Sequence, residues 1–279
     1  MTDTTRQAYR LFALDMDGTL LDPQKKIDPE SLRDIQWASD QGATVVYCTG
    51  RGVPELREYF DQAPMMRYAV CNSGAVVYDR AEDRIIAQHL LPKQYVNILL
   101  DLALRHGAMP HFLTGRESIV REKDITHMAD FGMGVYQPMF EAVARTVPDM
   151  AAEAARQNDI VKVDLYFRSS AERQRAYAEI RDLPIAAVLQ DESSLESTDL
   201  GVTKASGLRL LAEHLGIPMA RAVGIGDSIN DLEMLQAVGH AVAMGNAQPQ
   251  IKALCHSVTA DNKHNGVGRA IRRLMEAQP

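Results

Sequence analysis

The sequence of 279 residues predicts an α/β fold, with a doubly wound parallel-sheet core and an inserted α/β cap. Three observations carry that expectation. Short apolar runs alternate with amphipathic helical stretches, the rhythm of a parallel sheet with crossover helices. Carboxylates, a hydroxyl and glycines stand just after several of those runs, where such sheets bind ligands. A second α/β rhythm, without such residues, fills the middle of the chain, so the core is built from both ends.

The first apolar run, Leu11–Leu14, reads as a buried strand. Asp28 and Pro29 start a helix, the acid as N-cap and the proline at the first helical position. Leu32, Ile35 and Ala38 share its buried face, and Gly42 closes it. Thr44–Cys48 is the second strand, a helix begins near Pro54, and Tyr68–Cys71 is the third strand. Ala75–Tyr78 and Arg84–His89 flank Arg80–Asp83 as a hairpin leading out of a Rossmann-like core segment over residues 1–84.

Residues 85–191 form the expected cap. Val96, Leu99, Leu100 and Ala103 have helical spacing, with a stop at Gly107. Strands follow at His111–Leu113, Ser118–Arg121 and Val161–Phe167, then a helix over Ala171–Leu183 and a strand over Ala186–Gln190. The expected arrangement is an open sheet with helices on one face. The core resumes over 192–279, where Lys204 opens a helix with Leu208, Leu211, Ala212 and Leu215 on one face. Strands Ala222–Ile225, Ala241–Met244 and a short Ser257–Ala260 then accompany a helix over Asn230–Val238.

Asp15 and Asp17, one residue apart at the end of the first strand, repel each other. A hard divalent ion such as Mg2+ would neutralise them and keep positions open for a substrate phosphate. Alone, the pair reads more simply as an acidic surface turn. Three other segments supply complementary chemistry: Thr49-Gly50-Arg51, Lys204, and Gly226-Asp227-Ser-Ile-Asn230-Asp231. Each falls at a strand end or a helix start, where N–H groups and side chains converge on an anion.

In this order the motifs resemble the haloacid dehalogenase superfamily of phosphohydrolases, and within it the Cof-type branch (subfamily IIB). That branch carries a large α/β cap between its second and third motifs, here about 150 residues between Arg51 and Lys204. The matching residues are Asp15-Met-Asp17-Gly-Thr-Leu-Leu-Asp22, Thr49-Gly-Arg51, Lys204 and Gly226-Asp227-Ser-Ile-Asn230-Asp231-Leu-Glu-Met234. Asn72-Ser-Gly74-Ala75 and Asn265-Gly-Val-Gly fit the same branch, and the likeness runs from about residue 10 to 272. One departure is Ala205, where Cof-like chains often place glycine.

The resemblance implies roles. Asp15 is the nucleophile, forming an aspartyl-phosphate. Asp17 is the general acid and then the base that activates water, and its backbone carbonyl ligates the metal. Thr49 and Lys204 act on the phosphoryl oxygens. Asp15, Asp17 and Asp227 hold Mg2+, while Asp231 and Asn230 hold the loop, the metal's waters or Lys204. Asp231 reads equally as a first-turn helix acid. Gly50, Arg51, Asn72 and Asn230 are substrate contacts, with a salt-bridge or loop role the alternative for Arg51 and Asn72. In the cap, Arg116, Arg121, Lys123 and His127 are candidates for the leaving group, indistinguishable in sequence from surface charges.

The implied activity is Mg2+-dependent hydrolysis of small phosphorylated metabolites, sugar phosphates foremost. A phosphomutase, or a non-enzymatic phospho-acceptor module, stays open. Asp17 and the cap weigh against the second, which needs neither.

Composition sets bounds. Thirty Lys and Arg against 37 Asp and Glu give a net charge of −7, which disfavours nucleic acid or an anionic membrane as partner. No apolar run approaches a membrane span, and the polar Met1–Arg10 stretch lacks a secretory signal's apolar segment. Three cysteines without a pairing pattern point to a reduced, cytoplasmic setting, with Cys48 a small core residue. His111, His127 and His264 show no metal-ligand spacing. Oligomeric state leaves no mark in the sequence.

Overall fold

The computed structural model describes residues 8–190 and 192–277, so Met1–Gln7 and the expected boundary at Asp191 lie outside the described residues. The chain divides into two compact units. The first comprises 1–49, 59–86 and 203–279, and the second 50–58 and 87–202.

Among the described residues, eight strands form the first sheet. Their order is Ser257–Val258, His240–Ala243, Ala222–Gly226, Leu11–Leu14, Thr44–Cys48, Tyr68–Cys71, Val76–Asp79 and Arg84–Gln88. The first six pair in parallel, Leu11 lying opposite both Ala222 and Thr44. Val76–Asp79 turns back antiparallel to Tyr68–Cys71. Leu11–Leu14 is completely buried, because a central parallel strand is covered on both faces and needs an unbroken apolar run. The chain leaves this strand toward 44–48 and returns on its other side through 222–226. The order therefore reverses beside Leu11–Leu14, and ligands bind at such a switch point.

The expected helix forms at Pro29–Asp40, with Asp28 accepting from Glu30 N at 2.7 Å. It packs against Gly266–Glu276, a helix the sequence reading did not anticipate. Asp34 accepts from Arg272 Nε at 2.8 Å and from Asn265 Nδ2 at 3.1 Å, and Arg272 lies 4.2 Å from the Trp37 ring centroid. The Asn265-Gly-Val-Gly motif therefore does packing work: Asn265 also takes the Ser31 hydroxyl, at 2.8 Å.

Gly74 shows how the chain brings a helix start close to a strand end. Its φ is +103°, and a Cβ there would stand 1.9 Å from the backbone oxygen of Thr203. Gly42 has φ of +84° with open space around it. Gly74→Ala should accordingly cost at least ~2 kcal/mol in urea unfolding, and Gly42→Ala about 1 kcal/mol. Equal losses would show that the close approach at Thr203 is not tight.

In the second unit, six strands run in the order Ile185–Leu189, Ser194–Asp199, Ile160–Tyr166, Met109–Thr114, Ser118–Arg121, Arg145–Val147, counted among the described residues. Phe112, Ile119, Val163, Leu165 and Leu195 face one apolar core with Val96, Leu99 and Ile180 of helices Lys93–Arg105 and Ser170–Ile180. The expectation of helices on one face needs correction. Alternate residues Met109, Val120 and Tyr166 point the other way and pack with Met128, Phe131 and Phe140. Short helices within 122–143 thus cover part of that second face. The rest of it carries Lys162, Asp164 and Glu196.

The expected boundaries at 84/85 and 191/192 also shift, to 86/87 and 202/203. Ser194–Asp199 belongs with the second unit because its backbone groups pair antiparallel with both Ile160–Tyr166 and Ile185–Leu189. Residues 50–58 join that unit through Glu55, whose Oε1 accepts from the Ser118 hydroxyl at 3.1 Å. Among the described residues, no helix is long and apolar enough to cross a membrane.

Candidate active site

The acids and the lysine of the first unit meet at the switch point. Asp15 follows strand Leu11–Leu14, Thr49 follows Thr44–Cys48, Asn72 follows Tyr68–Cys71, and Asp227 follows Ala222–Gly226. Lys204 is the first residue of helix Lys204–His214, which Thr203 caps through a reciprocal pair with Ser206.

Lys204 is buried and its Nζ joins two acids, donating to Asp15 Oδ1 at 2.5 Å and Asp231 Oδ1 at 2.7 Å. The other oxygen of Asp231 accepts from the backbone of Asp227 at 3.0 Å and of Ser228 at 3.2 Å. Both Asp231 oxygens are thus engaged in holding Lys204 and the 227–231 turn. Asn230 shares that turn, its Oδ1 taking the Ser228 hydroxyl at 2.7 Å.

Carboxylate oxygens of Asp15, Asp227 and Asp231 all lie within 4.8 Å of one another. The Asp15 and Asp227 carboxyls are within hydrogen-bonding reach. Burial first, then the Asp231 charge, holds Asp15 well above the carboxylate range, partly offset by Lys204. The same two causes push Asp227 up to about 6, against the Thr19 hydroxyl, which donates to its Oδ1 at 2.8 Å. Two ionised acids in such contact need a proton or a cation between them. An all-oxygen donor set of this kind suits a hard divalent ion. Gly18 keeps the approach open, since a Cβ there would stand 2.5 Å from Asp227 Oδ2.

Asp17 stands apart from this cluster. Its Oδ1 accepts from Lys25 Nζ at 2.8 Å, an ion pair the sequence reading missed. Lys25 has no motif around it, and its backbone is left-handed (φ 62°). The structure therefore brings Asp15, Asp227 and Asp231 together and leaves the Asp17 carboxylate out of the acid cluster.

Asn72 is buried in a left-handed turn with Ser73, and Thr49 is held through its main chain. Thr49 N donates to Val70 O at 2.8 Å, and Thr49 O accepts from Ser73 N at 3.0 Å. Cys48 is buried, its thiol pushed up to about 12 by burial, which removes it as a nucleophile. Gly50 and Arg51 belong to the second unit. There Arg51 is buried, 3.3 Å from the Met139 sulfur and 5.5 Å from the Tyr136 ring centroid. Of the cap candidates, Arg121 is paired with Asp124 at 2.7 Å, while Lys123 and His127 are exposed. His111 is buried and neutral, its ring beside the Ser118 hydroxyl at 2.7 Å.

Clustered carboxylates and a buried lysine thus stand at the switch point of a doubly wound sheet, where such folds bind ligands. The chain belongs to the haloacid dehalogenase-like hydrolase family, which it matches over residues 12–271. It is 30% identical over 256 residues to the HMP-PP phosphatase of Serratia proteamaculans, spanning 88% of this chain and 87% of that protein. It is 26% identical over 264 residues to the 5-amino-6-(5-phospho-D-ribitylamino)uracil phosphatase of Bacillus subtilis, spanning 94% of each. A solved haloacid dehalogenase-like hydrolase from B. subtilis shares the fold, with a TM-score of 0.84 at 22% identity over 95% of this chain and 99% of that one. The sequence resemblance thus holds for the family, and a non-enzymatic module is set aside.

Proposed function

We propose that the protein is a Mg2+-dependent phosphatase of small phosphorylated metabolites that works through an aspartyl-phosphate on Asp15. The observation that carries this reading is the Lys204 bridge between Asp15 and Asp231, with Asp227 beside them. A buried lysine in contact with a carboxylate favours its ionised, nucleophilic form. An Asp15 oxygen bonds to phosphorus as the ester's P–O bond breaks, and Asp17 gives its proton to the leaving alkoxide. Asp17 then takes a proton from water, whose oxygen bonds to phosphorus as the acyl phosphate's P–O bond breaks. Lys25 orients Asp17 throughout. Thr49 donates its hydroxyl, and Asn230 lines the phosphoryl or substrate position.

Asp15 and Asp227 would hold Mg2+, with the Asp17 backbone carbonyl as the third protein ligand. Bound there, the ion neutralises charge gathering on the phosphoryl oxygens. Sugar and polyol phosphates are the favoured substrates, in keeping with the ribityl phosphate in the name of one relative. The reducing cytoplasm is the proposed setting, consistent with two buried cysteines and no disulfide among the described residues.

The test is phosphate release from a panel of phosphorylated metabolites. Wild-type protein should turn over sugar and polyol phosphates with Mg2+, lose turnover in excess chelator and regain it with added Mg2+. Mg2+ should also raise the thermal midpoint, because it relieves repulsion among the buried acids. Full turnover in chelator, or none on any phosphate ester, would overturn the proposal.

A further inference from the structure

Three residues that read in sequence as ordinary surface charges, Arg121, Lys123 and His127, line one open pocket of about 640 Å³ together with Arg168. Its whole wall belongs to the second unit. The volume is in the range that holds a small organic molecule. The space exists because the chain is thin there. Helix Lys93–Arg105 stops just before Gly107, where a Cβ would meet nothing within 4 Å, and Ala103 and Ala108 add only methyl groups.

Charge decides what kind of molecule fits. Both carboxylates of the wall are already taken. Asp124 holds Arg121 through two bonds, Oδ2 accepting from Nε at 2.7 Å and Oδ1 from Nη2 at 3.0 Å. Asp130 Oδ2 accepts from Arg168 Nη1 at 3.0 Å. Among the described residues no carboxylate pairs with Lys123, which is exposed. His127 Nδ1 lies 3.1 Å from the Lys123 carbonyl oxygen, so Nε2 is the ring nitrogen left for a ligand. The wall thus sets three fixed cations against two acids, an excess of positive charge in a chain whose net charge is −7. A cation would have to break an arginine pair to enter, whereas an anion meets Lys123 directly.

The remaining wall is apolar. Phe131 is buried under the Arg168 guanidinium, 4.7 Å from its ring centroid, and Leu104 is 56% exposed. We infer that this pocket is a second ligand site, for a small organic anion: a carboxylate or phosphate carried on an apolar or aromatic body. The acid group pairs with Lys123 and His127 Nε2, while the body covers Leu104 and Ala108. A charge-assisted bond and apolar surface removed from water both favour that binding. The site is independent of the proposed phosphatase activity.

The experiment uses the full wild-type chain in excess chelator, so that no divalent ion joins the acids of the first unit. Benzoate, phenylphosphonate and inorganic phosphate are each titrated against the imidazole resonance of His127, assigned through His127→Asn. The two aromatic anions should move that resonance saturably, with a Kd on the order of 1 mM or below. Lys123→Gln should weaken both by roughly tenfold. Leu104→Ser should weaken both by roughly fivefold and leave the response to inorganic phosphate as it was. Both positions are exposed, so neither change threatens the fold. Tighter binding of phenylphosphonate identifies the ligand's acid as a phosphate, and tighter binding of benzoate identifies it as a carboxylate.

No saturable shift up to about 20 mM of either aromatic anion would overturn the inference. So would an affinity unchanged in Lys123→Gln, or inorganic phosphate binding as tightly as the aromatic anions. Turnover is not read in this titration, so an inactive wild-type protein strikes the proposed function alone.

Discussion

Asp15→Asn is expected to remove turnover on every phosphate ester, by roughly four orders of magnitude or more, as for other lost nucleophiles. The thermal midpoint near neutral pH should not fall. The amide oxygen still accepts from Lys204, and one member of a repelling group of buried carboxyls is gone. Loss of activity without loss of stability is the signature of a strained functional site. Asp17→Asn is the informative contrast. It leaves the Asp15 attack intact and fails at protonating the leaving oxygen and activating water. Para-nitrophenyl phosphate, whose leaving group needs no proton, should therefore rescue Asp17→Asn more than Asp15→Asn. Equal losses on all esters would deny the two acids separate roles, and a markedly less stable Asp15→Asn would mean that its charge supports the fold.

Legibility in the sequence followed locality. Asp15, Lys204 and Asp227 were readable because each sits beside a strand end or helix start that announces itself, and their order makes the set specific. Helix Gly266–Glu276 was readable in principle, since Val267, Ala270, Ile271 and Leu274 keep helical spacing. Gly266 and Gly268 at its start masked it, being poor helix formers. Strand Ser194–Asp199 was not readable. Its face toward the helices carries Leu195 and Ser197, and its other face Glu196 and Thr198, so no apolar alternation marks it. The charge on Glu196 is paired with Lys162, from another strand, 2.7 Å away. Arg51 teaches the same lesson. Substrate contact and salt bridge were the two readings, and the structure adds a thioether and a tyrosine ring from residues far along the chain. Pairings across such separations leave no mark in one sequence.

Lys204→Met should damage both activity and stability, and the pH dependence should show why. The substitution keeps the length of the stem and removes only the charge. Asp15, Asp227 and Asp231 are then left together without their cation, and breaking a buried pair in this way costs about 3–5 kcal/mol. Lys204 lowers the proton affinity of Asp15 and Asp227, so without it both rise further above the range of an unfolded carboxyl. An acid whose folded pKa is raised binds its proton more tightly when folded. Stability is then retained at low pH and lost as pH climbs from about 4 through the raised value. The gap in thermal midpoint between variant and wild type should be widest at pH 7 and shrink toward pH 4.5. Turnover should fall about 10²–10³-fold or more on every ester, because the lost charge acted on the phosphoryl group they share. A gap independent of pH would assign the damage to packing, and selectivity among esters would move Lys204 to the leaving group.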